Sequence, residues 1–423
     1  TEIERVIDSY AEPIIRSSNL DPKTIKIRII ADNSLNAFVT SGNRMYINTG
    51  TILASDSYEE IVGIIAHEVG HIVGGHTVTF TDQMQTALNT TLLTSLLGVA
   101  AGIASGNSDL GMALALGGQG TAQRQILAFS RGQESAADQF ALKALDKSKQ
   151  SASGLISFFK KISGQELLVT DRQDPYVRTH PLTSRRISAI QNHLNNSEFR
   201  DIKPNEDLEE KHRLIKAKIY SFLKPLRVSI QKYPETDMSI EAIYARSIAF
   251  YRRGNLDKSI PLIDYLIKTK PKNPYFWELK GQMLFENGYL EESIESYSRA
   301  IKLSPFSPLI LIAQAHAMVE TADKEYSSQI QNLLSVALQT EPNNIFAWDL
   351  SAKSYAINGQ NALSAYAASE KALLIGDLEN TFRYIMKAEN GIEKGSPVWL
   401  RLQDIKIYAN EIKKKRERKK SSL

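Results

Sequence analysis

The sequence predicts an α+β domain, mostly helical with a small sheet, followed by an all-α repeat solenoid. Three short extended runs separated by turn residues lie within residues 24–48 and predict the sheet. A long apolar stretch with helical character follows at Ile61–His76. Further on, Pro271 and Pro305 lie 34 residues apart within a repeated pattern of glycine, aromatic and alanine residues. A period of this length is typical of stacked helical hairpins.

Composition narrows the class of protein. A chain of 423 residues predicts two or three domains. The net charge of +4 argues against a nucleic-acid partner, and residues 413–420 alone contribute +6, which leaves −2 for the rest. Cysteine is absent, so disulfides and thiolate metal ligands are excluded. Because the chain starts at Thr1, we expect that an N-terminal piece has been removed.

The first elements follow from the apolar pattern. Residues 1–18 have helical periodicity, with a kink or break expected at Pro13. Extended runs follow at residues 24–31, 36–40 and 44–48, separated by turn residues. We expect these runs to form a sheet against the next helix, with one edge strand beside the functional cleft. The pattern leaves open which run is that edge.

The apolar helix carries the motif His67-Glu68-x-x-His71. Residues four apart lie on one helical face, so both imidazoles can bind one ion. Zn²⁺ held by two imidazoles needs a third protein ligand and keeps one position for water. Glu68 can accept a proton from that water and return it to a leaving amine. The motif in this uncharged setting is typical of zinc-dependent peptidases, the alternative being two satisfied core histidines.

A later helix at residues 131–145 offers the third ligand. Glu134 and Asp138 lie four apart on one face. We predict that Glu134 binds the metal and that Asp138 accepts a hydrogen bond from a ligand histidine. The alternative is a pair of solvated acids. His76 is one position short of the third histidine of the metzincin motif, where Thr77 stands, and we predict a structural role for it.

Two features leave their alternatives open. The stretch at residues 83–120, which is uncharged as far as residue 108, fits a mobile lid, a surface that touches a membrane or a partner, or a helical hairpin that completes the core. Its apolar centre, Leu92–Ala104, is too short to span a bilayer. His180 lies just before Pro181, which opens a helix. Its imidazole can reach the metal or the substrate, or it can serve only as a helix-entry residue.

The first half of the chain resembles the M48 metallopeptidases. The resemblance implies a gluzincin-like fold with one Zn²⁺ per chain on His67, His71 and Glu134, and with Glu68 as general base. In periplasmic members that carry helical repeats, the histidine that matches His180 can occupy the open zinc position and hold the enzyme inactive. A basic residue at Arg185 or Arg186 is expected to stabilise the oxyanion. The matching segments are Asn36-Ala37-Phe38, His67-Glu68-Val69-Gly70-His71, Glu134-Ser135-Ala136-Ala137-Asp138, His180-Pro181 and Arg186-Ile187.

The resemblance also implies a function. It implies a periplasmic zinc endopeptidase that degrades misfolded or stalled envelope proteins, and whose repeats bind these clients or the outer-membrane protein assembly machinery. The alternative is a chaperone or assembly factor that acts mainly without proteolysis, through the repeats. An intramembrane member of the superfamily is disfavoured, because no stretch is long and apolar enough.

The expected domains are a peptidase domain at 1–197, a polar linker at 198–210, a repeat domain at 211–410 and a basic tail at 411–423. Repeats of this kind stack into a solenoid whose concave face binds peptides and proteins, the alternative being a structural spacer. We expect the tail to be a solvated, mobile end. A peripheral contact of its basic residues with anionic lipids is the alternative.

Overall fold

The structure, a computed structural model, describes residues 1–76, 130–164 and 174–421. It divides into two compact units, Thr1–Leu223 and Lys224–Leu423. The predicted lid, membrane surface or hairpin at 83–120 lies outside the described residues. No helix in the described part of the chain is long and apolar enough to cross a membrane.

The first unit is mostly helical around one three-stranded sheet, which confirms the predicted α+β class. Helix α1 starts at a capping box between Thr1 and Glu4 and continues past Pro13 without the expected break. The elements are α1 (Glu2–Ser17), β1 (Lys26–Ile30), β2 (Ala37–Thr40), β3 (Arg44–Asn48), α2 (Thr49–Ala54), α3 (Tyr58–Val73), α4 (130–147), α5 (Ser153–Ile162), α6 (Pro175–Thr179), α7 (Ser184–Asn196) and α8 (Glu206–Leu223).

The sheet has the order β1-β3-β2. Strand β1 runs parallel to β3, with Ile27 opposite Met45, and β2 runs antiparallel to β3, with Ala37 opposite Ile47. Strand β2 packs against α3 and is an edge of the described sheet. It is therefore the edge strand that lies beside the functional helix, a choice that the sequence pattern left open.

Helix α3 is buried on all sides from Ile61 to His71. It starts after Ser57, and although Ser57 and Glu60 have the spacing of a capping box, the side chain of Ser57 caps no N–H of the first turn. Glu60 instead accepts hydrogen bonds from Ser157 of α5 (2.7 Å) and from Lys161 (2.7 Å). Side chains thus tie the N-terminal turn of α3 to α5, and the N–H of Asp56 also donates to Oε2 of Glu60 at 3.2 Å within the turn.

The predicted domain boundary is too early, because α8 packs with the first unit. The expected linker at 198–210 already contains the start of α8, and the residues from 211 to 223 do not belong to the repeats. Ile215 and Ile219 join the hydrophobic core of the first unit. His212 lies 3.0 Å from the hydroxyl of Ser55 at the end of α2. The apolar face of α8 packs into the first core, so the first unit extends to the end of this helix. The acidic residues at the start of α8 make that face hard to recognise in the sequence.

The second unit is a succession of helical hairpins, which confirms the predicted repeat fold. Gly254, Gly288 and Gly359 adopt positive φ angles of 73°, 84° and 73° in the turns within hairpins. The helices are α9 (Leu226–Lys232), α10 (Ile240–Tyr251), α11 (Leu256–Thr269), α12 (Pro274–Glu286), α13 (Leu290–Leu303), α14 (Pro308–Glu320), α15 (Ser327–Thr340), α16 (Ile345–Ile357), α17 (Asn361–Leu374), α18 (Leu378–Glu389) and α19 (Pro397–Ser421). Ala322 (φ 55°) takes the place of these turn glycines in the hairpin of α14 and α15, where a short 3₁₀ turn at Lys324–Tyr326 precedes the second helix.

The basic segment predicted as a mobile tail at 411–423 is helical as far as Ser421. Helix α19 begins at Pro397, packs against α18 and continues through the basic run. The side chains of Lys413 to Arg418 are exposed, as expected for a solvated run. This part of the segment is therefore a solvated helical extension, and the mobility of the end stays a prediction.

The burial of His212 makes the stability of the first unit depend on pH. Burial, and then the charge of Lys216, lower the pKa of His212 from 6.5 to about 3. The folded state therefore holds the imidazole neutral, so stability is full above pH 6.5 and falls as the pH drops below it. At pH 5.5 we expect a loss of about 1.4 kcal/mol in the free energy of unfolding from this residue.

Urea unfolding of wild type and of His212→Gln at pH 7.5 and 5.5 measures this loss. The stability difference between the two proteins should shrink by the amount given above at the lower pH. His193→Gln removes a partly exposed histidine of the same unit and serves as the control. An unchanged difference at the two pH values would show that His212 does not carry the dependence.

Candidate metal centre

Four side chains predicted from sequence meet at one buried point. One ligand atom from each of His67, His71, Glu134 and His180 lies within 4.8 Å of the others. The Nε2 atoms of His67 and His71 are 3.1 Å apart, and each lies 3.3 Å from one carboxylate oxygen of Glu134. Two imidazoles and a carboxylate that converge in this way are a donor set that Zn²⁺ accepts.

The close approach of α3 and α4 brings these residues together. A side chain at Gly70 would place its Cβ 2.9 Å from the backbone of Ala137, so only glycine allows this separation. On α3, His67 and His71 flank Gly70, and on α4, Glu134 and Asp138 flank Ala137. Each pair is spaced by four residues and faces the other helix. The small contact between the helices therefore sets the distance between imidazoles and carboxylates.

Asp138 lies where the sequence predicts it, behind a ligand histidine. Its Oδ1 is 2.9 Å from Nδ1 of His67. This contact fixes the imidazole so that Nε2 faces the centre. Both side chains are buried, so the hydrogen bond is not weakened by solvent.

Arg186 lies behind the carboxylates rather than at the open side of the centre. Its Nε donates to Oδ2 of Asp138 at 2.6 Å and its Nη2 donates to Oδ1 at 2.8 Å. Nη1 lies 2.9 Å from Glu134 and donates to the carbonyl oxygen of Pro181 at 2.7 Å. Arg185 is exposed. The guanidinium of Arg186 is thus used to hold Glu134 and Asp138, and this geometry does not favour the expected role at an oxyanion.

Glu68 is fully buried beside the ligand cluster. Neither carboxylate oxygen has a hydrogen bond within the described part of the chain, and Nε2 of His180 lies 3.5 Å from Oε1. Burial raises the pKa of Glu68, while the nearby His180 and His67 lower it in part. A buried carboxylate without its own partner, next to a donor set for a metal, is suited to accept a proton from a bound reactant.

His180 reaches the centre from the end of α6. Its Nδ1 lies 3.2 Å from Glu134 and 3.4 Å from Nε2 of His67, while its other nitrogen faces Glu68. Of the two alternatives left open by the sequence, the geometry favours the one in which the imidazole reaches the metal. The residue lies on the side of Glu68, where an attacking water would also have to lie.

The charge of the cluster fits a divalent cation. Glu68, Glu134 and Asp138 are three buried carboxylates, and Arg186 is the buried cation that faces them. With neutral imidazoles the formal charge is −2. Burial lowers the pKa of His67, but its hydrogen bonds to Asp138 and Glu134 outweigh this and raise it to about 9. The site therefore favours positive charge at the point where the ligand atoms converge.

Two residues that contact the site, His76 and Tyr176, are not predicted from the sequence to act there. Nδ1 of His76 lies 2.9 Å from Nδ1 of His71, so the residue predicted to be structural supports a ligand. The ring of Tyr176 lies 4.7 Å from that of His180. The only sequence signal for Tyr176 is its position four residues before His180.

Comparisons with known proteins agree with this geometry. The sequence profile of Peptidase family M48 matches residues 1–194, and that of a tetratricopeptide repeat matches residues 244–308. The chain is similar to the beta-barrel assembly-enhancing protease of Yersinia pestis, with 21% identity over 398 residues, 93% of this chain and 80% of the relative. It is also similar to the protein of that name from Escherichia coli (strain K12), with 20% identity over 402 residues and the same coverage.

Replacement of Asp138 tests how much the support behind His67 contributes. Asp138→Asn removes the charge that orients His67 and pairs with Arg186, so we expect zinc affinity to fall by about 10- to 100-fold. Asp146→Asn is the matched control, because Asp146 lies on the same helix and contacts His193 at 2.9 Å away from the centre. Competition with a chromogenic chelator measures both affinities. Equal affinities in the two variants would contradict the role of Asp138.

Proposed function

We propose, from the match of residues 1–194 to Peptidase family M48, that this metallopeptidase is a zinc-dependent endopeptidase of misfolded or stalled envelope proteins in the bacterial periplasm. The observation that carries the proposal is the convergence of His67, His71 and Glu134 beside the buried carboxylate of Glu68. One donor set for a metal and one adjacent base are the parts that hydrolysis of a peptide bond needs.

His67, His71 and Glu134 are proposed to hold one Zn²⁺. Bound zinc would polarise the scissile carbonyl and lower the pKa of water at the site. Glu68 accepts the proton of the attacking water and returns it to the leaving amine. Asp138 and Arg186 keep His67 and Glu134 in position through the contacts described above. These are positioning roles, because neither side chain faces the reacting atoms.

Strand β2 is proposed to hold the substrate backbone. It is an edge of the described sheet and packs against α3, the helix that carries His67 and Glu68. An extended peptide can pair with the free edge of a strand through its backbone groups. Such pairing needs an unfolded segment, which favours misfolded proteins over folded neighbours.

His180 is proposed to restrain the enzyme. Its imidazole lies among the proposed ligands and 3.5 Å from Glu68, where water and the scissile carbonyl must bind. A side chain in this position excludes the substrate until it moves. The restraint would keep the resting enzyme slow among intact proteins.

The second unit is proposed to bind clients or the outer-membrane assembly machinery. The relatives are named for β-barrel assembly, and tetratricopeptide repeats are binding scaffolds. Rings from the first helix of three successive hairpins form a row, since His316 lies 4.6 Å from Phe285 and 4.9 Å from Phe346. Phe346 is 44% exposed, which offers an aromatic contact to an apolar segment. Exposed basic residues from Lys413 to Arg418 offer a peripheral contact with anionic lipid.

Cleavage of an unfolded outer-membrane protein by three forms of the zinc-loaded full chain tests the enzymatic proposal. We expect His180→Ala to cleave faster than wild type, because the reacting position is open. Glu68→Gln in the His180→Ala background should lower the rate by about 100-fold or more, since the base is lost. A chelator should stop cleavage by the single variant.

The same experiment separates the enzyme from an assembly factor that acts without proteolysis. That alternative is supported by the place of His180 among the metal ligands. It predicts that neither His180 variant cleaves while both bind zinc, and that both still suppress aggregation of the unfolded protein. Proteolysis that depends on Glu68 would exclude it as the main function.

A further inference from the structure

Tyr176 packs directly on the imidazole that is proposed to restrain the enzyme. Its ring centroid lies 4.7 Å from that of His180, with 33° between the ring planes. On its other side, Tyr176 meets Phe158 of α5 edge to face at 5.4 Å. Tyr176 is 1% exposed. The imidazole therefore lies against a fixed aromatic surface that limits its rotation.

Backbone hydrogen bonds fix Tyr176 and His180 relative to each other. The N–H of His180 donates to the carbonyl oxygen of Tyr176 at 2.8 Å, across the single turn of α6. The N–H of Tyr176 donates to the carbonyl oxygen of Leu35 at 3.1 Å. The N–H of Leu35 in turn donates to Oδ1 of Asp174 at 3.1 Å. Tyr176 is thus held by the segment that leads into β2, and His180 is held by Tyr176.

The hydroxyl of Tyr176 takes no part in this hold. It is buried and has no hydrogen-bond partner among the residues that the structure describes. Burial, and then the charge of Glu68, raise the pKa of Tyr176 well above its usual value, so the phenol stays neutral. The contact with His180 is made by the aromatic ring, which is tilted by 33° against the imidazole, and phenylalanine can reproduce it.

We propose that Tyr176 is a positioning residue that holds the imidazole of His180 at the proposed metal ligands through the packing of its ring against the imidazole. The proposal rests on the proposed restraint of the peptidase by His180. It predicts that loss of the ring, and not loss of the hydroxyl, releases the imidazole. Stacked aromatic pairs contribute enough to change the population of the released state by roughly 2- to 10-fold.

Two measurements on the full chain test the proposal. The first is cleavage of an unfolded outer-membrane protein by zinc-loaded Tyr176→Leu, Tyr176→Phe and His180→Ala. The second is the visible absorption of the same proteins with Co²⁺ in place of zinc, which reports the ligands of the metal without any need for activity. Phe158→Leu is the matched control, because it loosens the same core without touching His180.

We expect Tyr176→Leu to cleave roughly 2- to 10-fold faster than wild type, and its Co²⁺ spectrum to move toward that of His180→Ala. Tyr176→Phe and Phe158→Leu should keep the wild-type rate and spectrum. Adding Tyr176→Leu to His180→Ala should give no further gain, because the imidazole through which Tyr176 acts is gone. If Tyr176→Leu fails to bind metal, Tyr176→Met takes its place, since methionine fills irregular space.

Three results would overturn the inference. The first is a metal-loaded Tyr176→Leu or Tyr176→Met with the wild-type spectrum, and the second is an equal effect of Tyr176→Phe. The third is an equal gain from Phe158→Leu, which would assign the effect to general loosening. Failure of the proposed function is distinguishable, because it appears as a His180→Ala variant that binds metal and does not cleave. The Co²⁺ spectra still decide the role of Tyr176 in that case.

Discussion

The contact between α3 and α4 at Gly70 and Ala137 is the constraint on which the site depends. It lets two helical faces approach closely enough for imidazoles on one to meet carboxylates on the other. The approach concentrates three carboxylates in a buried volume, which is unfavourable unless positive charge balances them. Arg186 supplies part of this balance from behind, through Asp138 and Glu134. A divalent cation at the ligand atoms would supply the rest.

The burial of α3 and the chemistry of the site therefore depend on the same requirement, which is that buried polar side chains find partners inside the protein. Helix α3 has no polar face that could turn to water, so each of its polar side chains must be balanced inside the protein. His67 is balanced by Asp138, and Glu60 is balanced by Ser157 and Lys161 at the other end of the helix. Glu68 is the exception, since no described residue gives it a hydrogen bond. On the proposed function, this lack of a partner leaves Glu68 available as a base.

Sequence reasoning succeeds at this site where the information is local. His67 and His71, and also Glu134 and Asp138, are spaced by one helical turn, so the period alone places each pair on one face. The roles proposed for Arg186 and Tyr176 depend on the side of the centre at which their helices lie. Local sequence spacing does not predict this tertiary placement. The sequence misses the boundary after Leu223 for the same reason. Only tertiary packing shows that Ile215 and Ile219 belong to the first core.

The proposed restraint and the proposed substrate site share one support. Leu35 leads into β2, the edge strand, and also anchors Tyr176, on which His180 rests. A substrate can shift the balance between the restrained and released states only if it binds the released state better. The imidazole lies 3.5 Å from Glu68, and on the proposed function the scissile carbonyl binds beside the same carboxylate, so the two compete sterically. On the proposed function, a peptide that pairs with β2 but does not reach the centre leaves His180 in place. One that presents a peptide bond to Glu68 competes with His180 directly, so the restraint selects for segments that enter the cleft fully.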